Sequence, residues 1–235
     1  MKKQMLWVLS VLAAGPAFAD TTAVYESPAS GFKMTVEAAA NGDVRTEVAG
    51  RPSAFFLVKN NDGYVIRQTP TGLAAERVSD IAYAVATVRA EKDPNFEIRR
   101  AQTHFRQITI VQGGPAIIDA RVGTAYYWSQ QQRSLGLAAV ISHDPALANI
   151  GAAWAREHEA AISILWSVPE SEQQMTPLLK SGAPLEVYTH ELTSISNAPI
   201  SPSRFQLPAS IETRAEVLQR IEAAYKTGLN TVFLP

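Results

Sequence analysis

The chain has 235 residues, 21 Lys and Arg against 22 Asp and Glu, a formal charge of −1, and no cysteine. A near-neutral chain with no basic stripe argues against nucleic-acid binding, and the missing cysteines exclude disulfides, thiol nucleophiles and thiolate metal sites. Charged residues are 18% of the total, below the ~25% typical of globular proteins, a deficit that an apolar surface, an apolar cavity or an alanine-rich compositional bias would each explain.

Residues 1–19, MKKQMLWVLSVLAAGPAFA, open on Lys2 and Lys3, run through a mainly apolar stretch at 5–14, and close on Ala17-Phe18-Ala19. This is the pattern of a secretory signal peptide cleaved after Ala19. Its apolar run is too short to span a bilayer at ~20 residues per crossing. With no cysteine beside the cleavage site there is no residue to lipidate. The expectation is an exported, periplasmic, soluble protein that begins at Asp20 and has no stable membrane anchor.

In residues 32–38, Phe32, Met34, Val36 and Ala38 alternate with polar residues, which predicts a half-buried strand. Asn41-Gly42-Asp43 predicts a tight turn, and Val44, Thr46 and Val48 a return strand. Residues 53–59 (SAFFLVK) are apolar at successive positions, so both faces should be covered. Turn signals at 60–63 and 70–72 divide two further strands, completing a meander. Ser79 is the expected cap of a helix over 79–92, with Ile81, Val85 and Val88 inward and Asp93-Pro94 ending it.

Residues 96–112 contain at least one strand, suggested by Phe105, Ile108 and Ile110. Gly113-Gly114-Pro115 reads as a turn, 116–129 as a hairpin around Asp119-Ala120-Arg121, and 136–142 as a short strand. Residues 144–166 are the clearest helix, with Asp144 as cap and Pro145 at the first position. Leu147, Gly151, Trp154, His158, Ala161 and Leu165 form its inward stripe, and Arg156, Glu157 and Glu159 lie off it. A helix over 170–180, a strand over 184–196 and a proline-punctuated segment follow. A last helix over 213–225 opens with a Thr213/Glu216 capping box. Strands and helices segregate rather than alternate, so the class is α+β, with residues 20–235 a single domain.

Signatures of chemistry are absent. His104, His143, His158 and His190 include no pair at helical metal-ligand spacing. There is no nucleophile elbow and no phosphate loop. Ser142-His143-Asp144 has triad residue types, but adjacent residues cannot converge as a triad. No catalysis, no metal and no cofactor are expected. His158 reads as a core histidine bonded to a backbone carbonyl, with a ligand contact as the alternative.

The pairs Gly42-Asp43-Val44-Arg45 and Arg51-Pro52-Ser53-Ala54-Phe55, with Asn197-Ala198-Pro199-Ile200 and Phe205-Gln206-Leu207-Pro208, resemble the LolA/LolB-like periplasmic lipoprotein-carrier half-barrels and the related DUF4412-type exported proteins. The helical residues between 136 and 180 depart from that pattern. The resemblance implies a curved antiparallel sheet, an incomplete β-barrel, covered on its concave side by amphipathic helices and accepting acyl chains. The expected function is binding of a hydrophobic small molecule, a lipid or an acylated protein. Phe55, Leu57, Tyr64, Ile66, Tyr126 and Trp128 would line the concavity, with Trp154 on the covering helix and Arg51 at the mouth. An envelope-stress sensor or protein-interaction module on the same fold is the alternative.

Overall fold

The computed structural model describes residues 19–50, 54–95, 108–162, 164 and 173–227. Most of the expected leader, Arg51, residues 96–107 and Leu165 lie outside them. The described residues form an α+β fold: a twelve-stranded, mostly antiparallel sheet with four helices. The sheet is open, neither closed nor strongly curled. No helix among these residues is long and apolar enough to cross a membrane.

The first meander comprises β1 (Thr21–Glu26), β2 (Lys33–Ala38), β3 (Val44–Val48), β4 (Ala54–Lys59), β5 (Asp62–Thr69) and β6 (Gly72–Arg77), followed by α1 (Val78–Lys92). The second comprises β7 (Ile108–Ile118), β8 (Arg121–Gln130) and β9 (Arg133–Ser142). Then come α2 (Ala148–Ala161), α3 (Met175–Ser181), β10 (Ala183–Val187), β11 (His190–Ser196), β12 (Ser210–Ile211) and α4 (Arg214–Lys226). Spatial order is β12-β6-β5-β4-β3-β2-β1-β11-β10-β9-β8-β7. The pairing of β1 with β11 joins the two halves.

Four hairpins turn on two consecutive left-handed residues: Asn60-Asn61, Asp119-Ala120, Gln131-Gln132 and Tyr188-Thr189. Such turns match the right-handed twist of the flanking strands. The last of them corrects the expected single strand over 184–196, which is instead the hairpin β10–β11. Gly113-Gly114-Pro115 is not a turn either. It is a bulge inside β7, where the register with β8 jumps between Gln112 and Pro115.

Helix starts follow local chemistry in two cases and not in a third. Asp144 Oδ1 accepts the Ala146 N–H at 2.9 Å and Pro145 opens a 3₁₀ turn, Pro145–Leu147, that leads into α2. Thr213 and Glu216 form both bonds of the capping box on α4. Ser79, in contrast, does not cap α1. That helix begins one residue earlier, at Val78, with Arg77 in the cap position and no side-chain bond. Asp80 in its first turn instead accepts from Arg214 Nε at 2.7 Å.

The sheet has two differently covered faces. On one, α1 and α4 pack over β5 and β6, α2 crosses β1 to β5 and β10, and α3 rests on β9 and β10. Ala23, Tyr25, Val36, Ala38, Phe56 and Val65 meet the helices there. On the other face, Phe55, Leu57, Tyr64, Ile66 and Ala75 form a separate cluster under Phe205. Both faces of β4 are therefore buried, as its apolar run required.

Candidate ligand site

Helix α2 is the main cover. Trp154 meets Tyr25 of β1 edge to face, with ring centroids 5.3 Å apart, a favoured geometry for aromatic pairs. The Tyr25 hydroxyl donates to Pro184 O at 2.8 Å, so a single phenol ties together β1, β10 and the helix. Burial drives its pKa far above the usual tyrosine range. Gly151 allows the close approach of α2 to the start of β10, since a Cβ there would lie 2.7 Å from Gly182 O.

Two polar side chains of α2 point inward. Ring atom Nδ1 of His158 bonds Thr176 Oγ1 at 2.9 Å, linking α2 to α3. The expected partner, a backbone carbonyl, is replaced at this nitrogen by a hydroxyl. Glu157, which the stripe placed outward, faces the sheet and accepts from the Thr46 hydroxyl. Burial pushes its carboxyl up to about 7, the hydroxyl opposing the shift. A helix that lies across several strands buries more than one stripe. Ile150, Ala153 and Trp154 are all buried, and Glu157 follows them at spacings of seven, four and three residues.

Beyond the helices the sheet continues as β7 and β8. Ile110, Tyr126 and Trp128, which share one face of the β7–β8 ladder, are half-buried against the core. Farther out, Ile117 and Val122 pair across the hairpin and are 70% and 65% exposed. These side chains make an apolar shelf continuous with the core.

The sequence-predicted residues thus divide. Phe55, Leu57, Tyr64 and Ile66 do share a face, but it is the one opposite Trp154, packed beneath residues 197–209. Tyr126 and Trp128 are on the helix side with Trp154. The eight residues do not line one concavity, and Arg51 lies outside the described residues. Both β4 faces are apolar, so alternation alone carries no sign of which one the helices cover.

A cleft of ≈ 370 Å³ opens between α2, α3 and the start of β10, and one of ≈ 590 Å³ beside the β7–β8 turn. Both reach Ser142, His143 and Asp144. These three do not converge: Ser142 Oγ accepts from the Asp144 N–H, His143 Nδ1 bonds Ser181 O at 2.8 Å, and Asp144 caps the 3₁₀ turn. Among the described residues no group of three or more His, Cys, Asp or Glu could hold a metal ion. No protein-family model and no curated protein matches the chain.

Proposed function

We propose that the protein binds a lipophilic ligand, such as a lipid or an acylated protein, without chemical turnover, and that the apolar shelf on β7–β8 is where the ligand enters. The observation that carries this reading is the group Ile110, Tyr126 and Trp128, which share one face of the β7–β8 ladder and are half-buried beside the core. Each acyl CH₂ buried there would contribute ~0.8 kcal/mol. A single chain could therefore bind without specific polar recognition. Kinship with the LolA/LolB-like half-barrels fits the meander and the segment Asn197 to Pro208, although a weakly curled sheet makes the site an open shelf rather than a barrel interior. Export fits the contacts of Asp20, the first residue after the expected cleavage point, whose carboxylate accepts from Ala40 and Ile200 N–H groups.

Titration of the chain lacking residues 1–19 with a fluorescent fatty acid tests this. Trp128→Ala should weaken uptake at least tenfold, while Phe55→Leu, on the opposite face, should leave it unchanged. No uptake, or equal losses in both variants, overturns the shelf. The exposed Ile117–Val122 pair favours a second reading, docking of a protein partner. Persistent partner capture lost in Val122→Asp, with no lipid uptake, would select it.

A further inference from the structure

We propose that α2 is a proton-operated cover: it docks on the sheet while the Glu157 carboxyl carries its proton and loosens when that proton leaves. Glu157 meets the sheet at Thr46, which is 2% exposed. Among the described residues no cation pairs with it. The strands beneath supply no compensating charge on this face. Tyr25 is occupied by Pro184 O. Met34, Val36 and Ala38 of β2, Phe56 and Val58 of β4, and Leu185 and Val187 of β10 are apolar, and Arg45 and Glu47 of β3 point to the opposite face. Arg67 of β5 pairs with Glu76 and Glu212 beneath α4.

The other charged side chains nearby on α2 and α3 are engaged elsewhere. Arg156 donates to Gly42 O at 2.9 Å, Glu159 pairs with Lys180, and His158 bonds Thr176. An ionised carboxylate here would lie half-buried between helix and sheet with one hydroxyl for company, which is unfavourable without a paired cation.

The sign follows from linkage. Burial raises the Glu157 carboxyl to about 7, so between the ordinary carboxylate range and 7 the docked state holds a proton that the undocked state has released. Docking then weakens as pH rises across that window and stays constant above it. Leaving the sheet would uncover Tyr25, Val36 and Phe56, an apolar floor continuous with the shelf. The consequence for cargo, release or exchange near neutral pH, rests on the ligand reading above; the latch does not.

Amide hydrogen exchange on the ligand-free chain lacking residues 1–19, followed from pH 5 to 8.5 and corrected for the intrinsic rate, tests the latch. Protection of residues 148–161 should fall roughly 100-fold as pH rises from 5 and should level off above about 7, where the docked carboxyl has lost its proton. Amides of α1 and α4 should change far less. Glu157→Gln should remove the step and stay protected throughout. If that variant fails to fold, NMR titration of the Glu157 carboxyl carbon in the natural chain replaces it, with a midpoint near 7 expected. Protection that stays constant between pH 5 and 7, a carboxyl that titrates in the ordinary carboxylate range, a step that survives in Glu157→Gln, or parallel loss in α1 and α4 overturns the proposal. A step without fatty-acid uptake would sink the ligand reading alone.

Discussion

Arg45 Nη1 donates to the backbone oxygen of Arg204 at 2.9 Å, so one cation holds the main chain of another. The two guanidinium groups share carboxylates: Arg204 bonds Glu37 and pairs with Glu47, and Arg45 pairs with both. Arg45 also stacks 3.5 Å over the Phe55 ring. The result is a polar clasp over an apolar cluster, with the next residue, Phe205, as the plug.

Phe205 is 3% exposed and closes the cluster of Phe55, Leu57, Tyr64 and Ile66. Phe205→Ala should lower stability in urea unfolding by ~3 kcal/mol, the low end for emptying a buried aromatic site, because a surface segment can settle into the gap. Arg204→Ala should lower it by only ~1 kcal/mol, since its side chain is partly exposed and such pairs are screened. Both should speed proteolytic cleavage within residues 197–209. An unchanged cleavage rate in Phe205→Ala would show that the segment is held by other contacts.

Acid should release the same segment. Burial acts to raise the Glu47 carboxyl, but Arg45 and Arg204 outweigh it and hold it below the ordinary carboxylate range. Its stabilising contribution is therefore present above that range and is lost as pH falls through the lowered value. Limited acid-protease digestion should find 197–209 opening before the sheet unfolds, and Glu47→Gln should open it at neutral pH. Digestion that follows global unfolding in both proteins would contradict this.

Across β10 and β11, Glu186 lies opposite Glu191. Burial, then the charge of Glu191, raises the Glu186 carboxyl. The folded state therefore favours its proton, and this group makes the protein less stable as pH rises out of the carboxylate range, opposite in sign to Glu47. Glu186→Gln should raise the thermal midpoint at pH 7.5 and leave it unchanged at pH 4. A lower midpoint at pH 7.5 would reveal a favourable role for the charge.

Gly151 tests the seating of α2. Alanine favours helices over glycine by ~1 kcal/mol, but here its Cβ would press on the Gly182 carbonyl. Gly151→Ala should destabilise by ~1–3 kcal/mol, the range for overpacking, and should lower the protection of α2. A stabilised variant would mean that the helix has room to shift.

Several elements were legible because their determinants are local. The Asn41-Gly42 turn, the hairpin at Asp119-Ala120, the Asp144-Pro145 start and the Thr213/Glu216 box are written in neighbouring residues. The misses have distant determinants. Strand β1 has the plain sequence TTAVYE and is fixed by β2 on one side and β11, far along the chain, on the other. Tyr188 and Thr189 carry no turn signal, and Thr189 adopts a φ of 69° because Val187 must pair with His190. The site suffered most. Phe55 and Phe56 are adjacent and equally apolar, and only the helices on one side and Phe205 on the other assign their faces. Glu157 lies off the apolar stripe of its own helix, and only the crossing of α2 over several strands turns it toward Thr46.

Gln174 shows how one sheet edge is guarded. Its carboxamide accepts from Ile110 N at 2.9 Å and donates to Ile108 O at 3.1 Å, occupying the side of β7 that β8 leaves free. Past the bulge, Pro115 pairs with Thr124, two residues from Tyr126 on β8, so its nitrogen faces that same outer side, where a proline offers no donor. An eleven-residue edge strand without a charged side chain would otherwise be a template for another chain. Gln174→Ala should therefore promote association in size-exclusion chromatography at high concentration, with little loss of stability. Gln174→Glu should also break the Ile108 bond, because a carboxylate cannot donate to a carbonyl, yet its charge should keep the protein monomeric. If both variants associate equally, the edge is not the surface through which copies meet.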